Sequence, residues 1–151
     1  MTNNKPLNIL LLNALDIYGG GEFFVYQLAK LLTQKGHKVW VSCRKDNIIY
    51  GRCLEECIGV FPIDYPEHSG KSDLWKNSRI LGKFVKEQNI DIVHSNTNYD
   101  RTAGAFAAKF AGVRHVSNVH SFHSISHNLT HWYRNKFLIH HFMVDGVCTK
   151  E

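Results

Sequence analysis

No stretch of this 151-residue sequence is apolar over a length that could cross a membrane or serve as a secretory signal core. The longest apolar run near its start, Ile9 to Leu12, is far too short for either, and the residues before it, Met1 to Pro6, are polar. With export and insertion undirected, a cytoplasmic location is expected. Cys43, Cys53, Cys57 and Cys148 form no CxxC pair and, without a secretory signal, read as reduced core or surface thiols. Internal repeats, linkers and low-complexity tracts are also missing, so residues 1–151 are expected to form one domain around a single core. The chain ends at Val147-Cys148-Thr149-Lys150-Glu151, straight off an expected strand, and is expected to have been cut before a further domain.

Two common phosphate-binding fingerprints are missing too. Gly19, Gly20 and Gly21 are adjacent, and Phe24 stands two beyond Glu22, so the run is not G-x-G-x-x-G and gives NAD little support. Gly70-Lys71-Ser72 lacks the leading glycine of a P-loop, because Tyr65 occupies its place and no strong strand leads into it.

What is there is an alternation of β-branched and apolar runs with amphipathic stretches. The runs are nearly continuous in hydrophobicity, as strands buried on both faces should be, and this predicts an α/β fold with a parallel sheet flanked by helices. Strands are expected at Leu7–Asn13, His37–Cys43, Gly59–Ile63, Ile92–Ser95, His115–Val119 and Phe142–Cys148. Helices are expected at Gly21–Gln34, Tyr50–Cys57, Ser72–Gln88, Asp100–Ala111 and Thr130–His141. The first puts Phe24, Leu28 and Leu31 on one face and is closed by Gly36 as a C-terminal cap.

In such sheets ligands bind beyond the carboxyl ends of the strands, and the residues there are polar. The first strand leads through Asp16 into Gly19-Gly20-Gly21-Glu22, where a helix begins. Backbone N–H groups at a glycine-lined helix start can face a phosphate with no Cβ in the way; the alternative is that the glycines only permit a tight turn. His94 and Asn96 follow the fourth strand and His120 the fifth, offering neutral donors and acceptors for a polyhydroxylated ligand or for phosphate oxygens; a structural role for either histidine is the alternative. His120, His123, His127 and His131 recur at helical spacing, but no cysteine or carboxylate completes a usual ligand set, and no metal is expected.

The formal charge of +5 favours anionic partners: nucleic acid, phosphorylated metabolites or an acidic membrane face. Lys76, Arg79, Lys83 and Lys86 form a basic stripe on the expected third helix, either a solvated face or one that touches acidic lipid headgroups.

Gly20-Gly21-Glu22 at the first helix, Gly36-His37-Lys38-Val39, Asp91-Ile92-Val93-His94 and Val119-His120, in this order and separation, resemble the N-terminal lobe of family 4 glycosyltransferases. Asn96 and Thr149 depart from the family's usual His and Ser, which leaves the acceptor open. The resemblance implies the acceptor-side, Rossmann-like lobe of a GT-B fold. In such enzymes a second lobe carries the nucleotide-sugar and a spaced pair of glutamates, and transfer retains the anomeric configuration without metal or other cofactor. It further implies that Gly20 and Gly21 approach the donor diphosphate and that His120 contacts the transferring sugar, with Asp16, His94 and Asn96 at the acceptor side or cleft. The implied partners are a nucleotide-sugar donor, a sugar or lipid-linked acceptor and the missing C-terminal lobe, with peripheral membrane contact admitted and nucleic acid excluded. The setting implied by family analogy is cell-envelope polysaccharide biosynthesis, and the chain alone is expected to be inactive. Two other readings stay open: a non-catalytic subunit that pairs with a separate donor lobe, and a free-standing Rossmann domain binding a nucleotide or phosphometabolite.

Overall fold

The computed structural model describes residues 5–14, 19–64, 71–119, 136, 141–144 and 147–149. Along the chain these form β1 (Asn8–Leu12), α1 (Gly20–Gln34), β2 (Lys38–Cys43), α2 (Ile48–Glu55), β3 (Gly59–Pro62), α3 (Lys71–Glu87), β4 (Ile92–Ser95), α4 (Asn98–Ala111), β5 (Arg114–Val119), β6 (His141–Val144) and β7 (Val147–Thr149). They make one seven-stranded sheet in the order β3-β2-β1-β4-β5-β6-β7. Neighbours from β3 to β6 pair in parallel, and β7 closes the edge antiparallel to β6.

Both faces of the sheet are covered, and side-chain alternation along the strands divides the core in two. Leu10, Leu12, Trp40 and Val93 pack with Leu81, Val85, Ala103 and Ala107 of α3 and α4. Ile9, Leu11, Val39, Val41 and Cys43 pack with Val25 and Ala29 of α1 and Ile49 and Cys53 of α2. Each fully buried leucine or isoleucine contributes about 1.5–3 kcal/mol to stability. Burial also pushes the Cys43 and Cys53 thiols up to about 12, so both behave as small apolar groups.

Three expectations are corrected. The stretch Phe142–Cys148 is two strands rather than one, with Phe142 opposite Thr149 and Val144 opposite Val147. The Asp145-Gly146 pair interrupting that apolar run has the composition that favours a hairpin. The buried face of α1 is Val25 and Ala29, whereas Leu31 is 49% exposed and Phe24 and Leu28 only flank the core. Small residues at that face let the helix lie close to the sheet. α2 and α4 each start two residues earlier than expected, because Asn47 accepts from the Ile49 N–H at 2.9 Å and Thr97 caps α4. The expected helix Thr130–His141 lies outside the described residues except for Lys136 and for His141, which opens β6.

The helices α1 to α4 all end in the same way. Gly36, Cys57, Asn89 and Gly112 have positive φ, and the next N–H bonds back to the helix: His37 to Leu32, Ile58 to Cys53, Ile90 to Val85 and Val113 to Ala108. This six-to-one closure satisfies orphan carbonyls and turns the chain into the following segment. Gly36 thus has its expected place, one residue past the Lys35 cap.

From β1 the chain steps outward to β2 and β3, then returns to lay β4 on the other side of β1. Between β1 and β4 successive connections leave in opposite directions, which opens a crevice at the carboxyl edge of the sheet.

Candidate functional site

The crevice is built from the residues just past β1 and β4 and from the start of α1. Asn13 is fully buried, and its backbone N–H donates to the Ser42 carbonyl at 2.8 Å, carrying the β1–β2 pairing one residue beyond the strand. The Asn96 side-chain amide donates to the Gly21 carbonyl at 3.1 Å and lies 3.4 Å from Asn13 Oδ1. Asn118, in β5, donates from Nδ2 to Asn96 Oδ1 at 3.4 Å. A row of buried amides therefore links the ends of three adjacent strands to the first turn of α1.

That first turn is held by Glu22, whose Oε2 accepts from the Gly19 N–H at 2.9 Å. Gly19 has no side chain to return the bond, so the cap is one-sided. Glu22 is 2% exposed, and its Oε1 meets no hydrogen-bond donor. Gly19 adopts an extended backbone, and Gly20 and Gly21 are helical; the positive-φ glycines among the described residues are Gly36 and Gly112. A Cβ built on Gly20 would meet no atom within 4 Å. The turn itself therefore does not require glycine at position 20, and its surface is left clear. Helix N–H groups facing open space are suited to an anion.

The start of α4 is fixed to the same edge. Asp100 is completely buried and accepts from Thr97 N–H at 3.1 Å, from Thr97 Oγ1 at 2.9 Å and from Ala14 N–H at 3.1 Å. Burial raises its pKa to about 7, against the opposing pull of those hydrogen bonds and of the Arg101 guanidinium. Arg101 is 1% exposed, and burial lowers its pKa; its Nη2 donates to the Asn118 carbonyl at 2.9 Å. Beneath these, Ser95 Oγ and His115 Nε2 lie 2.8 Å apart. Gly104 makes this packing fit: a Cβ there would stand 2.5 Å from Ser95 Oγ and 2.6 Å from Leu12 Cδ1.

Of the residues singled out in the sequence, Gly21 and Asn96 are brought into direct contact, with Gly20 beside them. His94 is 4% exposed inside β4, on the sheet face shared with Leu11, two residues before Asn96. Asp16 and His120 lie outside the described residues, as do His123, His127 and His131. Asn13, Asp100, Arg101 and Asn118 were not singled out as site residues. The Thr97-x-x-Asp100 spacing of a capping box was the available signal for Asp100. Arg101 and Asn13 carry no such local signature.

A doubly wound sheet with a glycine-lined helix start at its switch point defines a Rossmann-like α/β domain. Sequence comparison narrows this: the model of Glycosyltransferase Family 4 matches residues 18–148, and the chain belongs to that family. No curated protein matches it. Among solved structures, a glycosyltransferase from Rickettsia africae superposes with a TM-score of 0.80 at 17% identity, over 93% of this chain and 37% of the other. MurG of Acinetobacter baumannii gives 0.70 at 16% identity, over 97% and 44%. Anabaena HepE in complex with UDP-glucose gives 0.68 at 18% identity, over 91% and 36%. The fold is thus the Rossmann-like lobe of GT-B glycosyltransferases, and the chain spans well under half the length of these neighbours.

Proposed function

We propose that the chain is the acceptor-side lobe of a retaining glycosyltransferase, a hexosyltransferase of cell-envelope or glycoconjugate assembly, which moves a sugar from a nucleotide-sugar to an acceptor hydroxyl. The open surface over Gly20 at the start of α1, beside the Asn96–Gly21 contact in the switch-point crevice, carries this reading. In the reaction the bond from the anomeric carbon to the diphosphate oxygen breaks as the acceptor oxygen bonds to the same face of that carbon, the acceptor proton passes to the departing diphosphate, and negative charge collects on the diphosphate in the transition state. The N–H groups at Gly20 and Gly21, with the helix dipole behind them, stabilise that charge. His120 contacts the transferring sugar, and Asp16, His94 and Asn96 belong to the acceptor side of the cleft. A second lobe supplies the rest of the donor site, and no metal or other cofactor takes part. UDP-glucose in HepE is a precedent for the donor class. The enzyme works in the cytoplasm on a sugar or lipid-linked acceptor, with peripheral contact at the inner face of the membrane.

Nucleotide-sugar turnover by the chain alone and by the chain joined to a donor lobe tests this reading, with NMR of the product anomer. The expected result is no transfer alone, transfer with retained configuration when joined, and no loss on chelation. Transfer by the chain alone overturns the half-site reading, an inverted product overturns retention, and loss on chelation overturns metal independence.

A further inference from the structure

On the helical layer formed by α3 and α4, three aromatic rings cluster at the surface. Trp75 lies 5.3 Å from Phe106 and 5.9 Å from Phe110 between ring centroids, and Phe106 and Phe110 are 6.2 Å apart. Trp75 is 51% exposed and Phe110 40%. They line a groove of about 690 Å³ with Arg79, Gly82, Lys83 and Lys86. Along α3 these positions recur at i, i+4, i+7, i+8 and i+11, one face of a helix. Gly82 lies where the two helices approach: a Cβ there would be 3.5 Å from the Ala107 carbonyl oxygen and 3.6 Å from Phe110 Cβ. Lys83 is paired with Glu87 at 3.6 Å, while Arg79 and Lys86 make no ion pair with any described residue. Lys76, part of the same basic stripe in the sequence, is not among the residues lining the groove.

We propose that this face docks on an anionic lipid bilayer, with Trp75 and Phe110 at the headgroup level and Arg79 and Lys86 against the lipid phosphates. Exposed aromatics flanked by unpaired cations are complementary to such a surface in both respects. The rings have an apolar body suited to the boundary region, and each cation gains from the negative surface potential. A neutral protein partner would leave the two cations without counter-charge, and a soluble anion would leave the rings in water. The proposal rests on the peripheral-membrane reading above and assigns the surface responsible for it.

Co-sedimentation of the protein with phosphatidylcholine vesicles, with and without phosphatidylglycerol, tests it. Binding is expected with phosphatidylglycerol present, weakening as salt rises. Arg79→Ala and Lys86→Ala should each lower affinity about fivefold. Lys35→Ala removes the same charge from the exposed end of α1 and should leave affinity within about twofold. Trp75→Ala should weaken binding and abolish the vesicle-induced blue shift of tryptophan fluorescence; Trp75 is half exposed, so a melting curve confirms folding. No binding to either vesicle overturns both the membrane reading and this assignment. Binding that Lys35→Ala weakens as much as Lys86→Ala does, or that Trp75→Ala leaves unchanged, keeps the membrane reading and overturns the assignment. Self-association that Trp75→Ala abolishes, with no vesicle binding, would give the face to a second copy of the chain and overturn the proposal.

Discussion

The Asn96 side chain donates to the carbonyl oxygen of Gly21 at 3.1 Å, joining the end of β4 to the first turn of α1 across 75 residues of sequence. The same amide group accepts from Asn118, so one buried residue holds two elements that line the crevice. Replacing it by Ala removes both of these hydrogen bonds from a buried site, at a cost of about 1–3 kcal/mol. A fall in melting temperature of about 2–4 °C per kcal/mol is expected for Asn96→Ala. Unchanged melting would show that the amide row does not hold the edge together.

Gly20→Ala should fold as well as the parent or slightly better, because a Cβ there meets nothing within 4 Å and alanine favours the helix. In the enzyme joined to its donor lobe, kcat/KM for the nucleotide-sugar should fall roughly ten- to a hundredfold, the equivalent of about 1.5–3 kcal/mol for a displaced charged hydrogen bond. Parent-like kinetics in the folded variant would remove the diphosphate from this surface.

His120→Ala should lower kcat more than it raises KM for the donor, since a contact to the distorting sugar acts mainly in the transition state. The loss should stay below the roughly 10²–10⁴-fold typical of general acid–base groups if the histidine only orients the sugar. Steady-state kinetics in the joined enzyme decide this, and an unchanged kcat excludes His120 from the site.

Stability should fall as pH rises from about 4 to about 7. Burial raises the Asp100 pKa to about 7 in the folded protein, whereas in the unfolded chain the group ionises near its ordinary value of 3.8. Between those values the folded state holds the extra proton; below them both states are protonated and above them neither is, so the contribution is flat outside the window. Urea unfolding of parent and Asp100→Asn across this range isolates the effect, since the variant lacks the group. A parent curve parallel to the variant's would show that Asp100 stays ionised when folded.

Cys57 has φ +56 at the exposed end of α2, where the other helices place Gly or Asn. A left-handed conformation costs a residue with a Cβ about 1–2 kcal/mol, offset in part by the greater freedom of glycine in the unfolded chain. Cys57→Gly should therefore raise stability by up to about 1 kcal/mol in denaturant unfolding. A less stable variant would mean that the thiol contributes to packing more than its backbone costs.

The fold was legible because its signals are local and repeated. Buried parallel strands leave continuous apolar runs, as at Ile9–Leu12 and Val39–Val41, and the Gly36 cap follows from a conformation that favours glycine. The hairpin of β6 and β7 was less legible, since two short apolar strands around Asp145-Gly146 have the same composition as one long strand. Within the crevice, Gly20, Gly21 and Asn96 stood out because glycine runs and polar residues after apolar strands have few other causes.

What the sequence by itself determined is the list of elements, their order and the polar character of the strand ends, all of which depend on neighbours within a few positions. Only the tertiary structure decided that β4 lies beside β1 and so brings Asn96 onto Gly21 and Asp100 onto the Ala14 N–H. It alone decided that Trp75 of α3 packs against Phe106 and Phe110 of α4, beside Arg79 and Lys86. Such pairings join residues distant in the chain, and their energy comes from burying amides, carboxylates and rings against one another, a condition that exists once the sheet has assembled and that no local window of sequence contains.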